Sequence, residues 1–152
     1  HARFLGMITY RSPTEWNKRL GRKLIQNIAE RADLFGNRFQ IQEYLKRRSD
    51  DFISDFDPNS YLYLSNAIDA FDFAEDYDDI EETVANLDLN RVLIIGVEED
   101  YIFPFQCQED LYNAFLAQKY SVELLKLPSI NGHDSFLVDH ESFGSALVNF
   151  FK

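Results

Sequence analysis

Cysteine, histidine and positive charge are all scarce in this sequence. Its 152 residues include a single cysteine, Cys107, and three histidines. One cysteine cannot form a disulfide within the chain, so we expect no disulfide framework and a reducing, cytoplasmic location. The 15 Lys and Arg residues stand against 26 Asp and Glu, a formal net charge of −11. Nucleic acids and anionic membrane surfaces bind clustered positive charge, so this balance argues against both as partners.

Long apolar runs and metal-ligand patterns are missing as well. No run approaches the ~20 apolar residues of a membrane span, and we expect no signal peptide. His1, His140 and Cys107 show no ligand spacing. The acidic stretch 72–82 lacks the D-x-D-x-D-G register of a calcium loop. We therefore expect no metal site, and we interpret these acids as helix-start residues and a solvated connector.

The first half of the chain has the apolar spacing of helices. Side chains recur at three and four residues from His1 to about Leu34, with a cap at Ser12 and Pro13 that ends one helix and starts another. Residues 39–56 predict a further helix, in which the basic run 46–48 is interpreted as a solvated face. A cap at residues 57–60 opens a helix that continues to about Phe71. The chain also begins at His1 inside a helical pattern, so we expect a piece of a longer protein.

The character of the sequence changes near Leu89. The aliphatic run Arg91–Val97 predicts a buried strand, and Ser121–Leu127 predicts a second one. Between them, residues 106–118 predict a helix with Leu111, Phe115 and Leu116 facing inward. The order strand, helix, strand, helix indicates an α/β fold with two parallel strands joined by a crossover.

Polar residues follow both predicted strands. Asp100 comes after the first strand and His133 after the second. The carboxyl ends of parallel strands meet at one edge of a sheet, so an Asp100–His133 hydrogen bond is within reach. A carboxylate on one imidazole nitrogen orients the ring for proton transfer at the other, as in Ser-His-Asp triads. Glu98 and Glu99 are rival acids, and a loop histidine bonded to a backbone carbonyl is the simpler alternative.

A nucleophile for such a triad is absent. No G-x-S-x-G occurs in the chain, and neither does its cysteine equivalent. This absence is consistent with a C-terminal fragment whose nucleophile precedes it, and equally with a non-catalytic domain.

Five motifs in succession sharpen this interpretation. They are A-R-F-L-G-M-I-T-Y-R-S from Ala2, F-Q-I-Q-E-Y-L from Phe39, F-D-P-N-S-Y-L-Y-L from Phe56, E-D-Y-I-F-P from Glu99 and G-H-D-S-F-L-V from Gly132. Together they resemble the C-terminal half of homoserine O-acetyltransferases, the MetX-like acyltransferases with an α/β-hydrolase fold. The resemblance implies a helical lid over residues 1–86. It also implies that residues 87–152 are the last two parallel strands of the core and their helices.

The resemblance also implies roles for four residues. Asp100 is the triad acid, His133 the base, Arg3 the group that binds the substrate carboxylate, and Asp134 the acceptor for the substrate ammonium. Arg3 as a surface helix residue and Asp134 as a loop cap are the alternatives. The chain departs from the family at Glu99, where a serine is frequent, and at Phe105, where a proline is frequent.

The implied reaction is transfer of an acetyl group from acetyl-CoA to the hydroxyl of L-homoserine, a step of methionine biosynthesis. Acetyl-CoA would be a co-substrate, with no bound cofactor. The implied partners are a missing N-terminal half that carries the serine nucleophile and a second copy in a homodimer built through the lid helices. Transfer to serine or another alcohol, a succinyl donor, ester hydrolysis and an inactive interaction module are the alternatives.

Overall fold

The computed structural model describes residues 2–27 and 35–152. The helices in this part of the chain are α1 (Ala2–Tyr10), α2 (Pro13–Arg19), α3 (Gln40–Asp55), α4 (Pro58–Asp69), α5 (Ile80–Ala85), α6 (Phe105–Ala117), α7 (Ser135–Val138) and α8 (His140–Phe150). The strands are β1 (Val92–Val97) and β2 (Val122–Leu127), and a 3₁₀ turn covers Gly132–Asp134. Within the described residues no helix combines the length and the apolar character needed to cross a membrane.

The two strands pair in parallel, as the sequence predicted. The register runs from Val92 opposite Val122 to Val97 opposite Leu127. The backbone N–H of Glu98 donates to the carbonyl of Leu127 at 3.1 Å, which holds the two carboxyl ends together just beyond the paired residues. Since α6 connects the strands and packs on both of them, the chain leaves β1 and β2 at the same edge of the sheet.

The core lies between this sheet and helices α5 and α6. Its buried residues are Val84, Ile94, Ala114 and Phe115. Val84 has no solvent exposure and comes from α5, so a helix on the lid side of the predicted boundary at residue 86 packs into the core. The division into residues 1–86 and 87–152 stays a prediction, and this packing favours a boundary ahead of α5.

The helical half is built as the caps predicted, but its first helical stretch is shorter. The hydroxyl of Ser12 accepts the N–H of Glu15 at the start of α2. After Arg19 the chain turns at Gly21, whose φ of +48° is left-handed. Leu24, which we expected in a helix, forms an antiparallel bridge with Phe39 instead. Residues 28–34 of the predicted helical stretch lie outside the described residues.

Three further expectations need correction. Leu116 does not face inward: its side chain is 51% exposed, because the inner face of α6 is formed by Leu111, Ala114 and Phe115. The helix expected to reach Phe71 ends at Asp69. The segment after β2, expected to be a loop, contains the 3₁₀ turn and the short helix α7.

Candidate active site

Asp100 and His133 meet at the carboxyl ends of the strands. The distance between Asp100 Oδ2 and His133 Nδ1 is 3.1 Å. The other carboxylate oxygen of Asp100 accepts the backbone N–H groups of Ile102 at 2.8 Å and Phe103 at 3.0 Å. Both carboxylate oxygens are therefore engaged, and the loop after β1 holds the carboxylate in one orientation.

This contact prepares the imidazole for proton transfer. A carboxylate acceptor on Nδ1 selects the tautomer that carries its proton there, which leaves Nε2 as the basic nitrogen. Within the described part of the chain, Nε2 has no hydrogen-bond partner. The side chains of His133 and Asp100 are 19% and 10% exposed, so the pair is shielded from water but not closed off.

Aromatic rings surround the imidazole. Ring centroids of Phe103, Tyr10 and Phe136 lie 5.1, 5.6 and 6.1 Å from that of His133. Asp100 and His133 line an open cleft of about 230 Å³, which we call the dyad cleft. Its lining residues are Ile95, Gly96, Val97, Asp100, Phe103, Gln108, His133, Phe136 and Phe143.

The structure distinguishes Asp100 from the rival acids. Glu98 points to the surface, where its carboxylate pairs with Lys126 at 3.1 Å. Glu99 does not line the dyad cleft. Asp100 is thus the carboxylate in contact with His133, as its position beyond the strand indicated.

The turn that carries His133 packs directly on the junction between α1 and α2. The hydroxyl of Ser12 donates to the carbonyl of Ile130. Gly132 adopts a φ of +63°, and a Cβ there would lie 2.9 Å from the backbone nitrogen of Ser12. Only a residue without a side chain permits this approach. The contact fixes the position of His133 against Tyr10.

A second cleft, which we call the arginine cleft, adjoins the imidazole. It encloses about 250 Å³ and is lined by Arg3, Met7, Tyr10, Arg11, Trp16, Tyr44, Arg48 and Asp134. Tyr10 contacts His133, and Asp134 follows His133 in the chain, so the two clefts are neighbours. Three arginines against one aspartate give the arginine cleft a positive lining, which suits a carboxylate ligand.

Arg3 lies in this cleft with incomplete hydrogen bonding. Its guanidinium carbon sits 4.8 Å from the centroid of the Phe52 ring. Its Nε is buried without a hydrogen-bond partner in the described part of the chain. A buried donor without an acceptor is costly, so a carboxylate ligand would relieve an unfavourable state. The position agrees with the predicted role of Arg3, which stays a prediction.

Asp134 already has a partner within the chain. Its Oδ2 lies 2.8 Å from Nε of Arg11, and Arg11 approaches the buried Glu15 at 3.9 Å. A carboxylate has several acceptor positions, so this ion pair leaves room for a substrate ammonium. The ammonium role of Asp134 stays a prediction as well.

Sequence reasoning missed several residues of the arginine cleft. Tyr10 and Arg11 stand inside the first motif, where their presence was noted but not interpreted. The prediction that the basic run 46–48 is a solvated face is confirmed, since all three residues are exposed. Arg48 also lines the arginine cleft. Its place on the same side of α3 as Tyr44, one turn earlier, is the signal that could have indicated this second position.

Comparison with known proteins supports the interpretation of the motifs. No family model matches the chain. The chain is 41% identical over 150 residues to a serine O-succinyltransferase of Stenotrophomonas maltophilia and 39% identical over 150 residues to one of Litchfieldella anticariensis. Both matches cover 98% of this chain, but only 40% and 41% of the relatives. The chain thus spans about two fifths of these curated relatives, in their C-terminal part.

Solved structures of two enzymes share the fold of this chain. Homoserine O-acetyltransferase from Bacillus anthracis superposes with a TM-score of 0.82 at 19% identity, over 98% of this chain and 39% of that chain. An esterase superposes with a TM-score of 0.78 at 18% identity, over 98% of this chain and 40% of that chain. These likenesses concern the fold alone. The chain is therefore similar in sequence to the C-terminal part of serine O-succinyltransferases, and its fold corresponds to the C-terminal part of an α/β-hydrolase fold.

Proposed function

We propose that the chain supplies the acid, the base and part of the substrate site of an O-acyltransferase that acts on a hydroxy amino acid. The observation that carries the proposal is the Asp100–His133 pair at 3.1 Å, placed beside a cleft with a positive lining. The pair provides a base for two successive hydroxyl groups, and the cleft provides partners for the charged end of an amino acid.

The proposed reaction has two steps. Nε2 of His133 takes the proton of a serine hydroxyl supplied by the missing N-terminal half, and the serine oxygen attacks the acyl-CoA thioester. The C–S bond breaks, and His133 returns the proton to the leaving thiolate of coenzyme A. In the second step His133 deprotonates the acceptor hydroxyl, which attacks the acyl-serine ester, and the proton then passes to the departing serine oxygen.

Asp100 orients the imidazole in both steps and stabilises the positive charge that forms on it. In the same proposal, Arg3 binds the carboxylate of the amino acid and Asp134 accepts a hydrogen bond from its ammonium. The bidentate geometry of a guanidinium suits a carboxylate. The buried Nε of Arg3, which has no hydrogen-bond partner among residues 2–27 and 35–152, supports this assignment.

Two pairs of substrates are candidates. L-Serine with succinyl-CoA is the first, because the relatives at 39–41% identity are named serine O-succinyltransferases. L-Homoserine with acetyl-CoA is the second, because the five motifs resemble homoserine O-acetyltransferases. The use of acyl-CoA, together with a lone cysteine, supports a cytoplasmic location as part of the proposal.

The test uses the complete polypeptide that the gene encodes. Wild type is assayed with L-serine and L-homoserine, each with acetyl-CoA and succinyl-CoA, by release of the coenzyme A thiol. We expect His133→Ala to lower kcat/KM for the preferred pair roughly 10²–10⁴-fold, because general-base catalysis is lost. The matched control is His140→Ala, at the exposed start of α8, which should retain the wild-type rate. An unchanged rate in His133→Ala would refute the mechanism, and thiol release without an acceptor would indicate a hydrolase.

A further inference from the structure

The arginine cleft carries more positive charge than the carboxylate of one amino acid requires. Arg11 is paired with Asp134 at 2.8 Å. Among the described residues Arg48 has only a loose ion-pair partner, since its Nη1 lies 3.9 Å from Oδ2 of Asp51 and its side chain is 53% exposed. Exposed ion pairs of this kind contribute little to the stability of the fold. Arg3 and Arg48 therefore both remain available to anionic groups of a ligand.

Arg48 stands on a different element from Arg3. Arg3 belongs to α1 and Arg48 to α3, and these two helices pack against each other around the cleft. The Arg48 guanidinium carbon lies 5.7 Å from the ring centroid of Tyr44, which also lines the cleft. A guanidinium on an aromatic face keeps its N–H donors in its own plane, where a carboxylate can accept two of them.

We infer that Arg48 is a specificity-determining residue that binds the free carboxylate of a dicarboxylic acyl group, while Arg3 binds the carboxylate of the amino acid. The inference rests on the proposed function, because it assigns the second arginine to the acyl group of that reaction. Among the candidate donors, succinyl-CoA carries such a carboxylate and acetyl-CoA does not. Arg48 thus favours donors of the succinyl class.

Product binding tests this inference without depending on turnover. The probes are O-succinyl-L-serine and O-acetyl-L-serine, which differ in the distal carboxylate, and binding to the complete gene product is measured by titration calorimetry. We expect Arg48→Met to weaken the binding of O-succinyl-L-serine about tenfold or more, because a charge-assisted pair is lost. The affinity for O-acetyl-L-serine should stay within about twofold of the wild-type value. Arg48→Lys should give an intermediate loss for the succinyl product alone.

The matched control is Arg47→Met, because Arg47 is the exposed neighbour on α3 and does not line the arginine cleft. It should change neither affinity, although it removes the same charge from the protein. Far-UV circular dichroism of each variant verifies that the fold is retained, and Arg48→Lys provides a second variant if Arg48→Met unfolds.

Several outcomes would overturn the inference. Equal weakening of both products by Arg48→Met would mean that both arginines serve the amino-acid carboxylate. Unchanged affinities would mean that Arg48 is only a solvated residue. Failure of wild type to bind either product would mean that the arginine cleft is not a binding site for these products. Failure of the proposed function is recognised separately, as absence of acyl transfer by wild type with either donor while the difference in product binding persists.

Discussion

At the scale of single residues, the candidate site depends on two side chains 33 positions apart that meet at 3.1 Å. Asp100 is held by two backbone N–H groups of its own loop, and His133 is held by the contact of its turn with α1 and α2. Each side chain is thus positioned before any substrate arrives. This preorganisation is what a general base requires.

Replacement of Asp100 by Asn tests the orientation of the imidazole. An amide cannot stabilise the imidazolium and favours the wrong tautomer, so we expect kcat to fall roughly 10³–10⁴-fold with little change in stability. Glu99→Gln is the matched control, since it removes an adjacent carboxylate that does not line the dyad cleft. Acyl-transfer kinetics give kcat for both variants. Equal losses of kcat would mean that removal of any negative charge near His133 has this effect, rather than loss of the Asp100 contact.

Gly132 offers a second test at this scale. Alanine there would adopt a left-handed φ of +63° and place its Cβ 2.9 Å from the backbone nitrogen of Ser12. We expect Gly132→Ala to destabilise the protein by about 2 kcal/mol or more and to displace His133. Urea unfolding measures the change in the free energy of unfolding, and a loss of acyl-transfer activity reports the displacement of His133.

The control for Gly132→Ala is Gly144→Ala. Gly144 lies inside α8, and apart from its chain neighbours and the backbone of its own helix, no atom of the described residues lies within 4 Å of the position that its Cβ would occupy. Alanine is favoured over glycine within a helix, so this variant should gain about 0.5–1 kcal/mol. A similar loss of stability in both variants would contradict the special role of the turn.

At the scale of elements, Asp139 is the residue at which α7 ends and α8 begins. Asp139 caps α8 by accepting the N–H of Ser142 at 3.2 Å. Hydrogen bonds from Ser142, and then from the Ser129 side chain, hold the pKa of Asp139 below its ordinary value of 3.8. Asp139 thus carries a charge that stabilises the start of α8, directly after the helix that follows the histidine turn.

This cap predicts a pH dependence of stability. The stabilising charge is fully present above the unfolded pKa near 3.8 and is lost as the pH falls through the lowered folded pKa. Asp139→Asn keeps an acceptor but removes the charge. We therefore expect the difference in unfolding free energy between wild type and Asp139→Asn to be constant above about pH 5 and to shrink toward acid. Denaturant titrations at several pH values measure it, and a difference that grows toward acid would refute the assignment.

The elements themselves show which local signals are reliable. Ser12 and Asp57 predicted the starts of α2 and α4, because a side-chain acceptor followed by proline is a local signal of a helix start. The apolar spacing of the first stretch, in contrast, wrongly predicted that the helix continues beyond Arg19. There the left-handed turn at Gly21 and the bridge between Leu24 and Phe39 prevail over helical spacing, because tertiary contacts override weak propensity.

At the scale of the whole molecule, the helices of the first half leave a large apolar surface. Ile68 of α4 is 73% exposed, and Leu64, one turn earlier on the same face, is 56% exposed. A monomer rarely leaves so many neighbouring apolar side chains in water. This surface supports the homodimer through the lid helices, which stays a prediction.

A charged substitution on α4 tests that dimer. We expect the complete gene product to be a dimer by size-exclusion chromatography with light scattering, and Ile68→Glu to shift it toward monomer, because a carboxylate is costly to bury without a partner. Asn66→Glu adds the same charge at an exposed polar position of α4 and should leave the dimer intact. A monomeric wild type would contradict the prediction.

The sequence by itself determined the order of the elements, the parallel pairing of the strands and the position of Asp100 and His133 at the carboxyl ends. These features depend on local patterns: an aliphatic run, a helical spacing and a polar residue directly after a strand. The arrangement of parallel strands then brings the two ends to one edge.

Only the tertiary structure decided how the helical half completes the site. The hydroxyl of Ser12 reaches the carbonyl of Ile130 across 118 positions, and Arg11 reaches Asp134 across a similar distance in the chain. Local periodicity carries no information about contacts of this separation, because they depend on how whole helices pack. For the same reason the sequence did not predict the arginine cleft or the place of Arg48 in it, because both depend on the packing of α1 against α3.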